Sequence, residues 1–89
     1  MWGRARKSRE ELKWELDELR EQRKAIFARM CELEHKRDQL QQLSLTTYDV
    51  KKLNQIQLEI LKIDAEIQSL REELRDVSRK IKRILMEEE

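Results

Sequence analysis

The sequence predicts an all-α protein in which two long helices form an antiparallel coiled-coil hairpin, with a four-helix bundle as the route by which hairpins could dimerise. Three observations carry this. The 89 residues are 44% charged at a net charge of only +1, with one Gly and no Pro, a composition of long helices and coiled coils. Leucine and isoleucine recur at alternating steps of three and four through both halves of the chain. The heptad frame changes phase near the middle, where the chain's hydroxyl residues cluster.

Residues 1–8 form a basic N-terminal segment open to fraying, followed by a first helix over residues 9–43. Its stripe is Leu12, Leu16, Leu19, Ile26, Met30, Leu33 and Leu40, with Ala5, Leu12, Leu19, Ile26, Leu33 and Leu40 at d. The a sites are mixed, because Arg9, Arg23 and Arg37 alternate with Leu16 and Met30. A polar a residue penalises wrong registers, and an Arg stem can lie along apolar neighbours while its guanidinium reaches a carboxylate such as Glu59 or Glu66.

The turn is expected at residues 44–47. Thr46 could cap a second helix, Asp49 would sit three residues on as in a capping box, and Leu45 and Val50 have the spacing of a hydrophobic staple. No Gly follows the first helix as a C-cap, so a bent or continuous helix is the competing reading. The second helix, over residues 48–87, fills consecutive a and d sites with Leu53, Ile56, Ile60, Ile63, Ile67, Leu70, Leu74, Val77, Ile81 and Ile84. So narrow a stripe buries against one neighbour rather than lining a globular interior.

Register favours the hairpin. Setting Leu40 opposite Leu53 also aligns Leu33 with Ile60, Ile26 with Ile67, Leu19 with Leu74 and Leu12 with Ile81. The facing g positions then pair Lys36 with Glu59, Arg29 with Glu66 and Glu15 with Lys80, all opposite in charge. A parallel pair of second helices would set Glu59 against Asp64. Such exposed pairs choose direction, and the apolar seam supplies the stability.

The same composition excludes several function classes. One His, one Gly and few hydroxyl residues cannot supply a catalytic triad or a phosphate-cradling loop, so neither catalytic residues nor cofactors are expected. No apolar run approaches the roughly 18 residues of a membrane span, and Met1-Trp2-Gly3-Arg4 lacks a secretory signal. The expectation is a soluble intracellular chain, cytoplasmic or nuclear, without membrane partners. Cys31 and His35 share a helical face but offer only two metal ligands per chain, and a solvated thiol and imidazole is the reading preferred over a metal site.

Function must then reside on the outer faces. Phe27, Ala28 and Cys31 on the first helix and Leu58, Leu61 and Ala65 on the second lie off the seam at similar heights. They are either scattered surface apolars or a partner face, and the partner face is preferred because Leu58 and Leu61 would otherwise stand exposed on a thin rod. Trp14, at an outward f position, is a further candidate anchor. The expected activity is non-catalytic protein association, as an oligomerisation or scaffold module forming a homodimer or hetero-oligomer. The alternative is a nucleic-acid-binding arm using the basic open end, where Arg4, Arg6, Lys7, Arg9 and Lys13 meet Arg79, Lys80, Lys82 and Arg83. Glutamates interleave with those cations and no aromatic residues do, which disfavours nucleic acid as a partner.

Overall fold

A computed structural model describes residues 8–88, so the expectations placed on residues 1–7 and on Glu89, including Ala5 as a seam residue and Arg4, Arg6 and Lys7 as a basic patch, lie outside the described residues. The first helix, α1, spans Arg9–Thr46 and the second, α2, spans Val50–Glu88. Ser8 starts α1 through a signal that the heptad reading passed over. Ser8-Arg9-Glu10-Glu11 has the S-x-x-E pattern, and the Ser8 hydroxyl accepts a hydrogen bond from the Glu11 amide at 3.1 Å. The Ser8 carbonyl takes the first helical bond, from the Leu12 amide at 3.0 Å. Glu10 and Glu11 complete the start by placing negative charge at the positive end of the helix dipole.

The turn lies later than residues 44–47. Helix α1 continues through Thr46, the bend is confined to Thr47, Tyr48 and Asp49, and α2 begins at Val50. The cap is Asp49 and not Thr46: its Oδ1 accepts from the Lys51 amide at 3.0 Å and its carbonyl from the Leu53 amide at 2.9 Å. The hydroxyls point the other way along the chain. Ser44 donates to the Gln41 carbonyl at 2.6 Å, and Thr46 and Thr47 both donate to the Leu43 carbonyl, at 3.1 and 2.7 Å. A helix without a C-terminal glycine has unpaired carbonyls in its last turn, and these side chains supply the donors. Thr47 leaves the helix in extended backbone at φ −97° and ψ 124°, so no positive φ is needed at the turn and none occurs among the described residues. The expected Leu45–Val50 staple does not form, as both side chains are exposed.

The chain folds back as a hairpin of 70 × 20 × 15 Å, which removes the continuous-helix reading. The buried residues are Leu12, Leu16, Ile26, Leu33, Ile56, Ile63, Ile67, Val77, Ile81 and Ile84, every one from the two stripes. Leu19, Met30, Leu40, Leu53, Ile60, Leu70 and Leu74 are half-buried along the same line. Leu12, Leu16 and Ile26 cluster with Val77, Ile81 and Ile84 toward the open end. Leu33, Ile63 and Ile67 form a second cluster toward the turn. Met30 and Leu70 pack against both clusters and join them into one core.

The relocated cap is directly testable. Asp49→Ala should lower the unfolding free energy by about 1 kcal/mol, the usual cost of losing an N-cap. Thr46→Ala at the exposed end of α1 should stay within about 0.5 kcal/mol of the parent. Urea titrations followed by far-UV circular dichroism measure both, and the opposite order would return the cap to Thr46.

Candidate protein-association face

In an antiparallel helix pair, e positions of both helices lie on one long side of the seam and g positions on the other. The e/b flank carries Phe27, Cys31 and Leu61, while Ala28, Leu58 and Ala65 occupy adjoining f positions. None of these side chains is buried: Phe27, Leu58 and Leu61 are 49%, 58% and 63% exposed, and Ala28, Cys31 and Ala65 are exposed as well. Cys31 is a free thiol.

Two ion pairs between the helices fix the relative heights of these residues. Arg29, at g, grips Glu66 on the opposite flank, its Nε donating to a carboxylate oxygen at 3.0 Å and its Nη2 lying 2.9 Å from the same oxygen. This is the expected g pairing of Arg29 with Glu66, and it sets Ala28 and Ala65, each a neighbour of one partner, at about the same height. Arg29 also donates to Glu32 at 3.2 Å. That hydrogen bond, followed by the charge of Glu66, holds the Arg29 guanidinium above its ordinary pKa. Lys36 and Glu59 do not form the ion pair expected from register.

Arg37 makes the second pair, and with a carboxylate other than Glu59 or Glu66. From its a position it reaches across to Asp64 at e, with Nη1 donating to Oδ1 at 3.0 Å. An a side chain emerges beside the e row, so Asp64 at e lies nearer to its reach than the g residues on the far flank. The hydrogen bond to Asp64 raises the Arg37 pKa against an opposing contribution from burial, and Asp38 and Glu34 add further attraction. The Arg37 Nε is buried without a hydrogen-bond partner. This arginine therefore gives up hydration along the seam for a single directed contact.

Trp14 does not join the patch. It is 76% exposed and, at 1.5 Å per helical residue, lies about 20 Å along α1 from Phe27. The structure also exposes apolar residues at the closed end, where Leu43, Leu45, Tyr48 and Val50 gather, with Tyr48 96% exposed. A shallow cleft of about 620 Å³ runs beside them, lined by Leu40, Leu43, Thr47, Tyr48, Lys52 and Ile56. Their exposure could have been read from the sequence, because Leu43 and Leu45 fall at g and b, outside the a/d stripe.

Among the described residues, no group of three or more His, Cys, Asp or Glu side chains is placed to hold a metal ion. His35 and Cys31 are both exposed. No described helix is long and apolar enough to cross a membrane.

No family model matches this chain. No curated protein and no solved structure matches it either.

The seam and the outer face respond differently to substitution. Ile67, only 3% exposed, should cost about 2–5 kcal/mol as Ile67→Ala. Arg37→Met should leave thermal stability equal to or above the parent's, because an apolar side chain of similar length removes a buried, unpartnered donor from the seam. Thermal melts by circular dichroism check both, and a large loss for Arg37→Met would show that the Asp64 pair outweighs the desolvation.

Proposed function

We propose that this chain is a non-catalytic protein-association module, a coiled-coil hairpin whose partner face is the mid-length patch of Phe27, Cys31, Leu58 and Leu61, extended by Ala28 and Ala65. The observation that carries this reading is the set of large apolar side chains left exposed off the seam at mid-length. Phe27, Leu58 and Leu61 are about half exposed or more, at neighbouring heights on the rod. Packing a second hairpin, or another helical partner, against them would build the third and fourth helices of a bundle and exclude water from the patch. An exposed free thiol at its centre suits a reducing intracellular compartment.

The basic open end has no comparable support as a nucleic-acid site. Arg79 is turned toward Asp76 of its own helix, at 3.8 Å, and acidic residues interleave with the cations there.

Sedimentation velocity over a range of concentrations tests the assignment. Leu58→Glu combined with Leu61→Glu should convert an associating chain to monomer while far-UV circular dichroism stays unchanged, since neither side chain belongs to the seam. The same replacements at Ile63 and Leu70 should abolish the helical signal. Identical sedimentation of the parent and the Leu58/Leu61 variant would overturn the choice of face, and submicromolar binding of labelled RNA or DNA at about 50 mM salt would move the function to the open end.

A further inference from the structure

The flank that carries the apolar patch is polarised in charge along its length. On the half toward the chain ends, the e and b positions hold Lys13, Arg20, Lys24, Arg71, Arg75 and Lys82 against only Glu10 and Asp17. Beyond Cys31 toward the turn, α1 holds Glu34 and Asp38 there, and the flank also carries Asp64 close to the patch. Only Arg37 answers these three carboxylates, and all three act on its guanidinium. The opposite flank is mixed at its open end, where Glu11, Glu15 and Glu18 of α1 stand with Lys80 and Arg83 of α2. The apolar residues therefore stand where one flank changes from basic to acidic.

A surface of this pattern is complementary to itself when reversed. With Arg29 level with Glu66, Cys31 and Leu61, both at b, lie within about 5 Å of each other in height. Asp38 lies one heptad beyond Cys31 and Lys24 one heptad before it. A two-fold axis through Cys31 would set Lys24 of each copy level with Asp38 of the other, closing two equivalent contacts around the apolar centre. The same operation explains the outlying apolar residues. Trp14 precedes Cys31 by as many residues as Tyr48 follows it, so each exposed Trp14 would stand level with the other copy's apolar closed end, Leu45 and Tyr48. A parallel arrangement of the same flanks would set basic half against basic half and leave Trp14 level only with itself. Lys24 has only a long contact to Glu21 of its own helix, at 3.6 Å and well exposed, which leaves it available to a second carboxylate.

Resting on the association reading above, we infer that the partner is a second copy of this chain, docked antiparallel on the e/b flank about a two-fold axis at the height of Cys31 and Leu61. Opposite-sign charges orient the two rods, and the apolar centre with its two Trp14 outposts supplies the burial.

Crosslinking tests the orientation separately from association. Asp17→Cys and Leu45→Cys, each in a Cys31→Ser background and carrying different mass tags, are mixed and treated with a short bismaleimide. The expected products are 17–45 crosslinks between chains, and Cys31–Cys31 crosslinks in the unmodified protein. Crosslinks of 45 to 45 would overturn the antiparallel arrangement while leaving the association face intact if the Leu58/Leu61 variant is still monomeric. A sedimenting dimer that gives neither product also overturns it, and a parent chain that is monomeric at every concentration overturns both the inference and self-association through this face. Charge exchange supplies an independent readout: Lys24→Asp and Asp38→Lys should each weaken dimerisation about fivefold, as expected for two symmetry-related exposed pairs, and the double variant should recover it. Failure of the double variant to recover would remove the Lys24–Asp38 contact and with it the proposed axis.

Discussion

Two helices lying side by side share only one line of contact, and everything else in this molecule follows from that limit. Each helix can withdraw about two positions per heptad from water, and the buried residues come from those positions alone. Even Ile67, the most protected of them, retains 3% exposure, and no buried polar or charged residue occurs among the described residues. The core is a single file of side chains joined through Met30 and Leu70. Stability must come from the length and regularity of that file, since exposed ion pairs contribute only a few tenths of a kcal/mol each.

The arginines at a positions sit on this limit. Arg9 is exposed, while Arg23 and Arg37 are half-buried where apolar residues would otherwise extend the seam. For Arg37 the compensation is incomplete, since Asp64 satisfies one terminal nitrogen and the Nε has no partner. Such a residue weakens the seam, yet it makes a heptad slip unattractive, because slipping would carry the guanidinium away from Asp64 and leave it only Asp38 and Glu34 of its own helix. Arg29 acts from the other flank through Glu66. The two contacts restrain sliding from both sides of the seam, so the outer residues keep defined heights as well as defined faces.

Much of this was legible in the sequence because period and charge are local properties. The a/d stripe of α2, the reversal of direction and the pairing of Arg29 with Glu66 could all be read from spacing. The turn was misread for a physical reason: a Ser or Thr hydroxyl can accept from an amide ahead of it or donate to a carbonyl behind it, and the residue type is the same for both. What decides the direction is the set of carbonyls left unpaired at the end of α1, which depends on where that helix stops. Ser8 was missed although its S-x-x-E pattern is explicit, because a seam search begins at the first apolar residue. The partner of Arg37 was legible in principle and was missed, since Asp64 stands at e beside the a row while Glu59 and Glu66 stand at g on the far flank.

The mid-length patch cannot be a spare piece of the seam. Moving α1 along α2 by one heptad would keep a and d residues together and still leave Leu58 and Ala65 at f, pointing away from the partner helix, with Leu61 and Cys31 at b beside them. No register that keeps the a and d residues in the seam buries those positions, so a third helix is the smallest addition that could. The g/c flank, by contrast, carries charged and amide side chains over most of its length, with Ala25 and Leu43 its only apolar residues among those described. Off-seam apolar character and a change of charge sign coincide on one side of the rod, and on that side alone would a further helix exchange exposed Leu, Phe and Trp surface for protein contact without stripping water from a continuous row of charges.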